Sequence, residues 1–289
     1  MDHAAIYYFS ATGNSLAVAR DLAEPLGAAL IDLSSCRGRE ALAVRHHAIG
    51  LVFPTYDFRP PNLVNEFIGR IESIGSTYLF AVCTYGIAAG RSLKRLGKEI
   101  ETKGGSLSGG FAIRMPHNGI GCGAVREGTN QRLLTEWKRR LPAIRNYAER
   151  QASGTIETTC TPLQLLRPET LRMMPAVARF AVRFLKAGAD SLGFTASEDC
   201  NGCGVCAQVC PASNIRMEAG RPAWSDRCIN CFACLHWCPQ QAISLGDLNA
   251  GIRPYHHPEV TLDDLTTRRN EESSDRRPSA SSDSNALAQ

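Results

Sequence analysis

Twelve cysteines stand in this chain of 289 residues, and eight of them fall in two short runs. Cys200, Cys203, Cys206 and Cys210 are followed by Pro211, and Cys228, Cys231, Cys234 and Cys238 by Pro239. Both runs read C-x2-C-x2-C-x3-C-P, and the second repeats the first 28 positions later, down to Ile215 and Ile243. Thiolates two residues apart on a tight turn can face one metal centre, while a following proline fixes the turn that holds the fourth away from its own loop. Zinc sites favour widely separated C-x2-C pairs with four ligands per ion, which the tripled spacing does not match. Disulfides need an oxidising compartment.

The doubled run resembles the ligand run of bacterial two-cluster ferredoxins, over about one sixth of the chain. The resemblance implies two [4Fe–4S] clusters that exchange their fourth ligands. Cys200, Cys203, Cys206 and Cys238 would hold one, and Cys228, Cys231, Cys234 and Cys210 the other. Thiolates committed to iron imply a reducing compartment. The first residues enter a strand with no charged leader, so the expectation is a cytoplasmic protein of an anaerobic host. No apolar run approaches the ~20 residues needed to span a bilayer.

A second chemical stretch lies near the start. Ala4–Phe9 is a short apolar run that reads as a buried parallel strand. Ser10, Ala11, Thr12, Gly13, Asn14 and Ser15 follow, and then a helix with Leu16, Ala19, Leu22 and Ala23 on one face. A strand, a hydroxyl- and glycine-rich turn and a helix N-terminus make an anion site, because backbone N–H groups and the helix dipole point at the ligand. The plainer alternative is a turn and a helix cap, for which one hydroxyl suffices. No lysine is present, which excludes a Walker motif.

Strands and helices then alternate. Strands are expected at 28–33, 48–54, 77–83 and 107–115, and helices at 62–71, 90–103 and 130–151. Five strands so connected make a doubly wound parallel α/β sheet, whose ligands sit beyond the carboxyl ends of the strands. The loop and this order resemble the flavodoxins, which bind FMN, over about half the chain. The resemblance implies that Thr55 and Tyr56, with Phe58 as a rival, and Thr84, Tyr85 and Gly86 flank the isoalloxazine. The alternative is that these tyrosines are rim residues without a ligand. A glycine-rich stretch, Arg114 to Gly123, closes the fifth strand, and His117 within it is too isolated to read as catalytic.

Charge adds one departure. Residues 1–153 carry 19 Lys and Arg against 13 Asp and Glu, whereas flavodoxins that act as free carriers are usually acidic. Arg91, Lys94, Arg95 and Lys98 share one helix face. That face is either simply solvated or a dock for an acidic redox partner. No basic patch with interleaved aromatics is present, so nucleic acid is not an expected partner.

The expected organisation is a flavodoxin-like domain (1–153), a helical connector (154–199), a small α+β two-cluster ferredoxin domain (200–252) and a polar, disordered tail (253–289). The connector interleaves Leu163, Met173, Val177, Phe180 and Phe184 with arginines and reads as interdomain packing, against the alternative of a membrane-surface anchor. One hairpin with Gly220 at its turn is expected between the cysteine runs. The remaining cysteines, Cys36, Cys83, Cys122 and Cys160, read as buried or free thiols. The whole order resembles flavodoxin/ferredoxin fusion proteins of anaerobic bacteria and archaea, which implies electron transfer between two [4Fe–4S] clusters and FMN. Two alternatives stand beside it: a flavin-dependent reductase of a small substrate, and a redox or oxygen sensor.

Overall fold

The computed structural model describes residues 4–37, 46–119, 127–158, 193–246 and 253–266. Its largest element is a parallel sheet of six strands in the order β2-β1-β3-β4-β5-β6. The strands are β1 (Ala4–Tyr8), β2 (Ala29–Asp32), β3 (Ala48–Pro54), β4 (Tyr78–Tyr85), β5 (Gly109–Arg114) and β6 (Thr155–Ile156). Both faces are covered by helices, so β3 and β4 are apolar nearly throughout instead of alternating. The first five strands follow the flavodoxin-like order, whose switch point lies between β1 and β3.

Helices α1 (Asn14–Leu26), α2 (Asn62–Arg70) and α3 (Ser92–Glu101) make the crossovers, followed by α4 (Glu127–Glu136) and α5 (Leu141–Glu149). α1 begins just after Gly13, whose φ of 96° lies in the left-handed region open to glycine. The single helix expected over 130–151 is instead two, joined by a 3-10 turn at Trp137–Arg140. Pro142 accounts for the break, because it has no N–H to continue a helical ladder and is tolerated only in a first turn.

The five strands expected are corrected to six. Thr155 and Ile156 pair with Gly109 and Gly110. The Tyr147 hydroxyl anchors this edge by donating to Ser108 O and accepting from Thr155 N–H. The Glu157 carboxylate accepts from Ala112 N–H and pairs with Arg140. The sheet domain therefore extends past residue 153. The apolar positions expected to pack in the connector, from Leu163 to Phe184, lie outside the described residues, as do Cys122 and Cys160.

The cysteine-rich part is small. Strands β7 (Thr195–Ala196) and β10 (Ile243–Ser244) pair antiparallel, and β8 (Ile215–Glu218) pairs with β9 (Arg221–Trp224). The hairpin turns at Ala219 and Gly220, both with positive φ, as a two-residue type I′ loop requires. Two single-turn helices, α6 (Val205–Gln208) and α7 (Ala233–His236), carry the third cysteine of each run.

The disordered tail expected from residue 253 is corrected for residues 253–266. This stretch crosses back onto the first domain and ends in a helical turn at 262–266. Val260 and Leu265 are buried in the same cluster as Leu16, Val18 and Leu22. Leu262 packs against the other core cluster, so three apolar side chains among many polar ones hold the stretch down by burying apolar surface. Ion pairs Arg20–Asp264 (2.5 Å) and Lys138–Glu259 (2.6 Å) fasten its margins.

Candidate functional site

The two cysteine runs form two quartets, and neither quartet is a single run. Cys200, Cys203 and Cys206 surround one cavity together with Cys238 from the second run. Cys228, Cys231 and Cys234 surround the other together with Cys210 from the first. The electrostatics report the same grouping. Burial pushes the Cys206 thiol up to about 11, and Cys238, Cys203 and Cys200 push it the same way. Burial raises the Cys234 thiol well above its ordinary value, and the contributing thiols are Cys231, Cys210 and Cys228. Thiols packed this way oppose one another's ionisation, so four thiolates at either place require a strongly cationic centre.

The backbone repeats along with the cysteines. Gly202, Gly204 and Ser213 have positive φ, and so do Asn230, Phe232 and Gln241, each 28 positions on. In the first run two of these positions are glycine, which adopts the conformation freely. In the second, Asn230 and Phe232 hold it with side chains attached, a strain of order 1–3 kcal/mol each that surrounding contacts must offset. Asn230 N–H donates to Cys228 Sγ (3.4 Å). The same bond type links Asn214 N–H to Cys210 Sγ (3.2 Å) and Ala242 N–H to Cys238 Sγ (3.3 Å), again 28 apart. N–H groups aimed at thiolate sulfurs stabilise negative charge there and raise the potential of any centre the sulfurs hold. The sequence reading missed these donors, since backbone groups leave no side-chain signature.

The donor set and its spacing fit cubane iron–sulfur clusters. Among the described residues no three His, Cys, Asp or Glu side chains close on one point as a single ion would require. The thiols stand around a space instead.

The quartets differ in setting. Cys203 of the first is exposed. The second faces the sheet domain, where Val209, Cys231 and Ala233 share a buried cluster with Phe9 and Phe53, and Tyr56 and Tyr85 pack against that cluster. The Tyr56 phenol is raised well above its usual value by burial and by the nearby Cys231 thiol, and its hydroxyl has no hydrogen-bond partner among the described residues. Arg37 donates to Pro211 O, adding a polar contact at the same seam.

Residues 10–15, the expected phosphate loop, have the residue types a phosphate needs, but in this conformation they are engaged with protein. Ser10, Thr12, Asn14 and Ser15 are all buried. Ser10 Oγ accepts from Gly13 N–H, and the Ser15 and Thr84 hydroxyls bond each other at 2.8 Å. Asn118 Nδ2 donates to Thr12 Oγ1 (2.6 Å), and Asn14 Nδ2 to Pro116 O (3.0 Å). Trp237, beside Cys238, donates its indole N–H to Ala11 O (3.0 Å). Tyr255 donates its hydroxyl to Asn14 Oδ1 (2.7 Å), and His257 N–H donates to Thr12 O (2.7 Å).

His236 joins the three parts. Its Nδ1 accepts from Tyr255 N–H, so its Nε2 carries the proton and donates to Asn118 O (2.7 Å). Burial holds this imidazole neutral, with its pKa lowered to about 4. His117, which the sequence left unassigned, packs over Gly86, where an added Cβ would lie 2.5 Å from its Nδ1. Phe58 packs on Gly90 in the same way and turns away from the sheet, about half exposed. Tyr56 thus lies beside Cys231 at the seam with the cysteine region. The signals for Tyr255, His257 and Trp237 were aromatic and imidazole groups in otherwise polar or cysteine-rich sequence.

Comparison with known proteins bears on both halves. Residues 194–239 match the family model of a 4Fe-4S dicluster domain. No curated protein matches the chain. Solved structures resemble the sheet domain. The Trp repressor binding protein of Bacillus subtilis is 16% identical, covering 51% of this chain and 97% of its own, with a TM-score of 0.37. The two-electron reduced flavodoxin of Megasphaera elsdenii is 19% identical over 40% of this chain and 90% of its own, with a TM-score of 0.32. A flavoprotein of Lactobacillus acidophilus in complex with FMN is 9% identical over 47% and 98%, with a TM-score of 0.31. At these scores the likenesses add nothing to the strand order itself. Among the described residues no helix is long and apolar enough to cross a membrane.

Proposed function

We propose that this protein transfers electrons, with two [4Fe–4S] clusters in the dicluster domain and FMN at the carboxyl edge of the sheet. The observation that carries the reading is the pair of mixed thiol quartets, one open to solvent at Cys203 and one packed on the sheet domain at Tyr56. Iron–sulfur clusters exchange one electron at a time and a flavin one or two, so the pair would join single-electron carriers to two-electron chemistry. The chain's own residues set the order. Cys203 exposes the first quartet to an outside partner, and the buried contacts of Val209, Cys231 and Ala233 bring the second quartet to the flavin-side loops.

The FMN residues proposed are Ser10–Ser15 for the phosphate and Thr55, Tyr56, Thr84, Tyr85 and Gly86 around the ring. The partner proposed is an acidic redox protein meeting Arg91, Lys94, Arg95 and Lys98, all exposed on α3 and its N-terminal end. The reducing compartment that open thiolates need is proposed to be the cytoplasm. The test is anaerobic purification with iron, sulfide, zinc and flavin analysis and a redox titration. About eight iron and eight sulfide per chain are expected for two cubanes. Two zinc ions and no iron would refute the proposal.

A further inference from the structure

The segment from Tyr255 to Leu265 lies directly on the loop proposed to take the FMN phosphate. We propose that this strap is a removable cap, and that FMN and the strap compete for residues 10–15; the inference rests on the FMN reading of that loop. The steric case is made at Gly13. A Cβ added there would lie 2.9 Å from the Cβ atoms of both His257 and Val260. A gap that does not admit one methyl group does not admit a phosphate. The polar case is made at its neighbours, where Thr12 O and Asn14 Oδ1 accept from His257 N–H and the Tyr255 hydroxyl. Flavin held at this loop by the same groups has to displace those bonds.

The strap is built to leave without unfolding the domain. Its contacts with the loop are two hydrogen bonds and the packing of two side chains. Its anchors, Val260, Leu265 and the Arg20–Asp264 and Lys138–Glu259 pairs, hold it to α1 and the 3-10 turn before α5. The Tyr255 N–H also bonds His236 of the dicluster domain, so lifting the strap releases its contact with that domain too. A cap tethered in the same chain lowers apparent FMN affinity by the fraction of molecules in which it is open.

The test uses the full chain with its iron–sulfur content intact, titrated with FMN under anaerobic conditions and followed by flavin fluorescence. Asp264→Ala with Leu265→Ala loosens the strap at anchors that do not meet the loop. FMN is expected to bind this variant at least ten-fold more tightly than the parent. Hydrogen exchange in peptides covering 255–265 of the parent is expected to quicken when FMN is added. If the double variant loses iron or helical content, Tyr255→Phe replaces it, with a smaller gain of the same sign. Equal affinity in parent and variant, or FMN binding with strap exchange unchanged, overturns the cap while leaving FMN binding in place. No FMN binding by any form, with iron retained, overturns both the cap and the FMN assignment.

Discussion

The dicluster domain and the sheet domain carry their chemistry in opposite ways. In the dicluster domain all eight thiols come from 39 consecutive residues, and even the left-handed backbone positions repeat with the cysteines. In the sheet domain the groups around residues 10–15 arrive from β4, from the loop after β5, from the dicluster domain and from the strap. A site built from a repeat is specified by local spacing. A site built from distant loops is specified by packing, and this packing also lets one part of the chain occupy what another part offers.

The largest expected effect tests the repeat. Cys210→Ala should empty the quartet of the second run and leave that of the first, halving iron from about eight to about four per chain. EPR of the remaining centre decides it. Loss of the first-run signal instead would mean that each run serves itself. Next comes the strap's pH response. His257 is buried beside Trp137, with Glu259, Lys138 and His256 nearby, and burial lowers its pKa to about 4 from an ordinary 6.5. A neutral ring is favoured in the folded state, so its contribution is full above pH 6.5 and is lost as pH falls toward 4. The loss is at most about 3.5 kcal/mol, because each tenfold change in proton affinity is worth about 1.4 kcal/mol. Chemical denaturation should show the parent losing more stability than His257→Gln as pH falls across this range, because glutamine takes up no proton there.

Trp237→Phe removes the donor to Ala11 O at the seam between the domains. A buried carbonyl left unpaired costs about 1–3 kcal/mol. Transient reduction of the thiol-bound centres, followed at several protein concentrations, should show a concentration-independent flavin step in the parent and a slower one in Trp237→Phe. A parent rate proportional to concentration would mean that the seam is not the route. The smallest effect concerns α3. Lys94→Glu with Lys98→Glu changes two exposed cations and should alter stability by no more than about 0.5 kcal/mol. It should slow association with an acidic partner and flatten the salt dependence of that association, as stopped-flow mixing would record.

The sequence by itself determined the thiol set, because ligand spacing and a 28-residue repeat are local, and the alternation of strands and helices, because apolar periodicity is local. It also located the hairpin, through Gly220. It did not contain the sixth strand, a two-residue pairing that Tyr147 and Glu157 secure from outside. Nor did it separate the polar tail into a folded strap and a remainder, since the few apolar anchors Val260, Leu262 and Leu265 stand in a charged stretch without a clear period. Only the tertiary structure decided which quartet meets the sheet and what covers residues 10–15. Trp237 reaches Ala11 across 226 positions and Tyr255 reaches Asn14 across 241. Contacts at that separation are fixed by how whole surfaces fit together, and no spacing within either stretch encodes them.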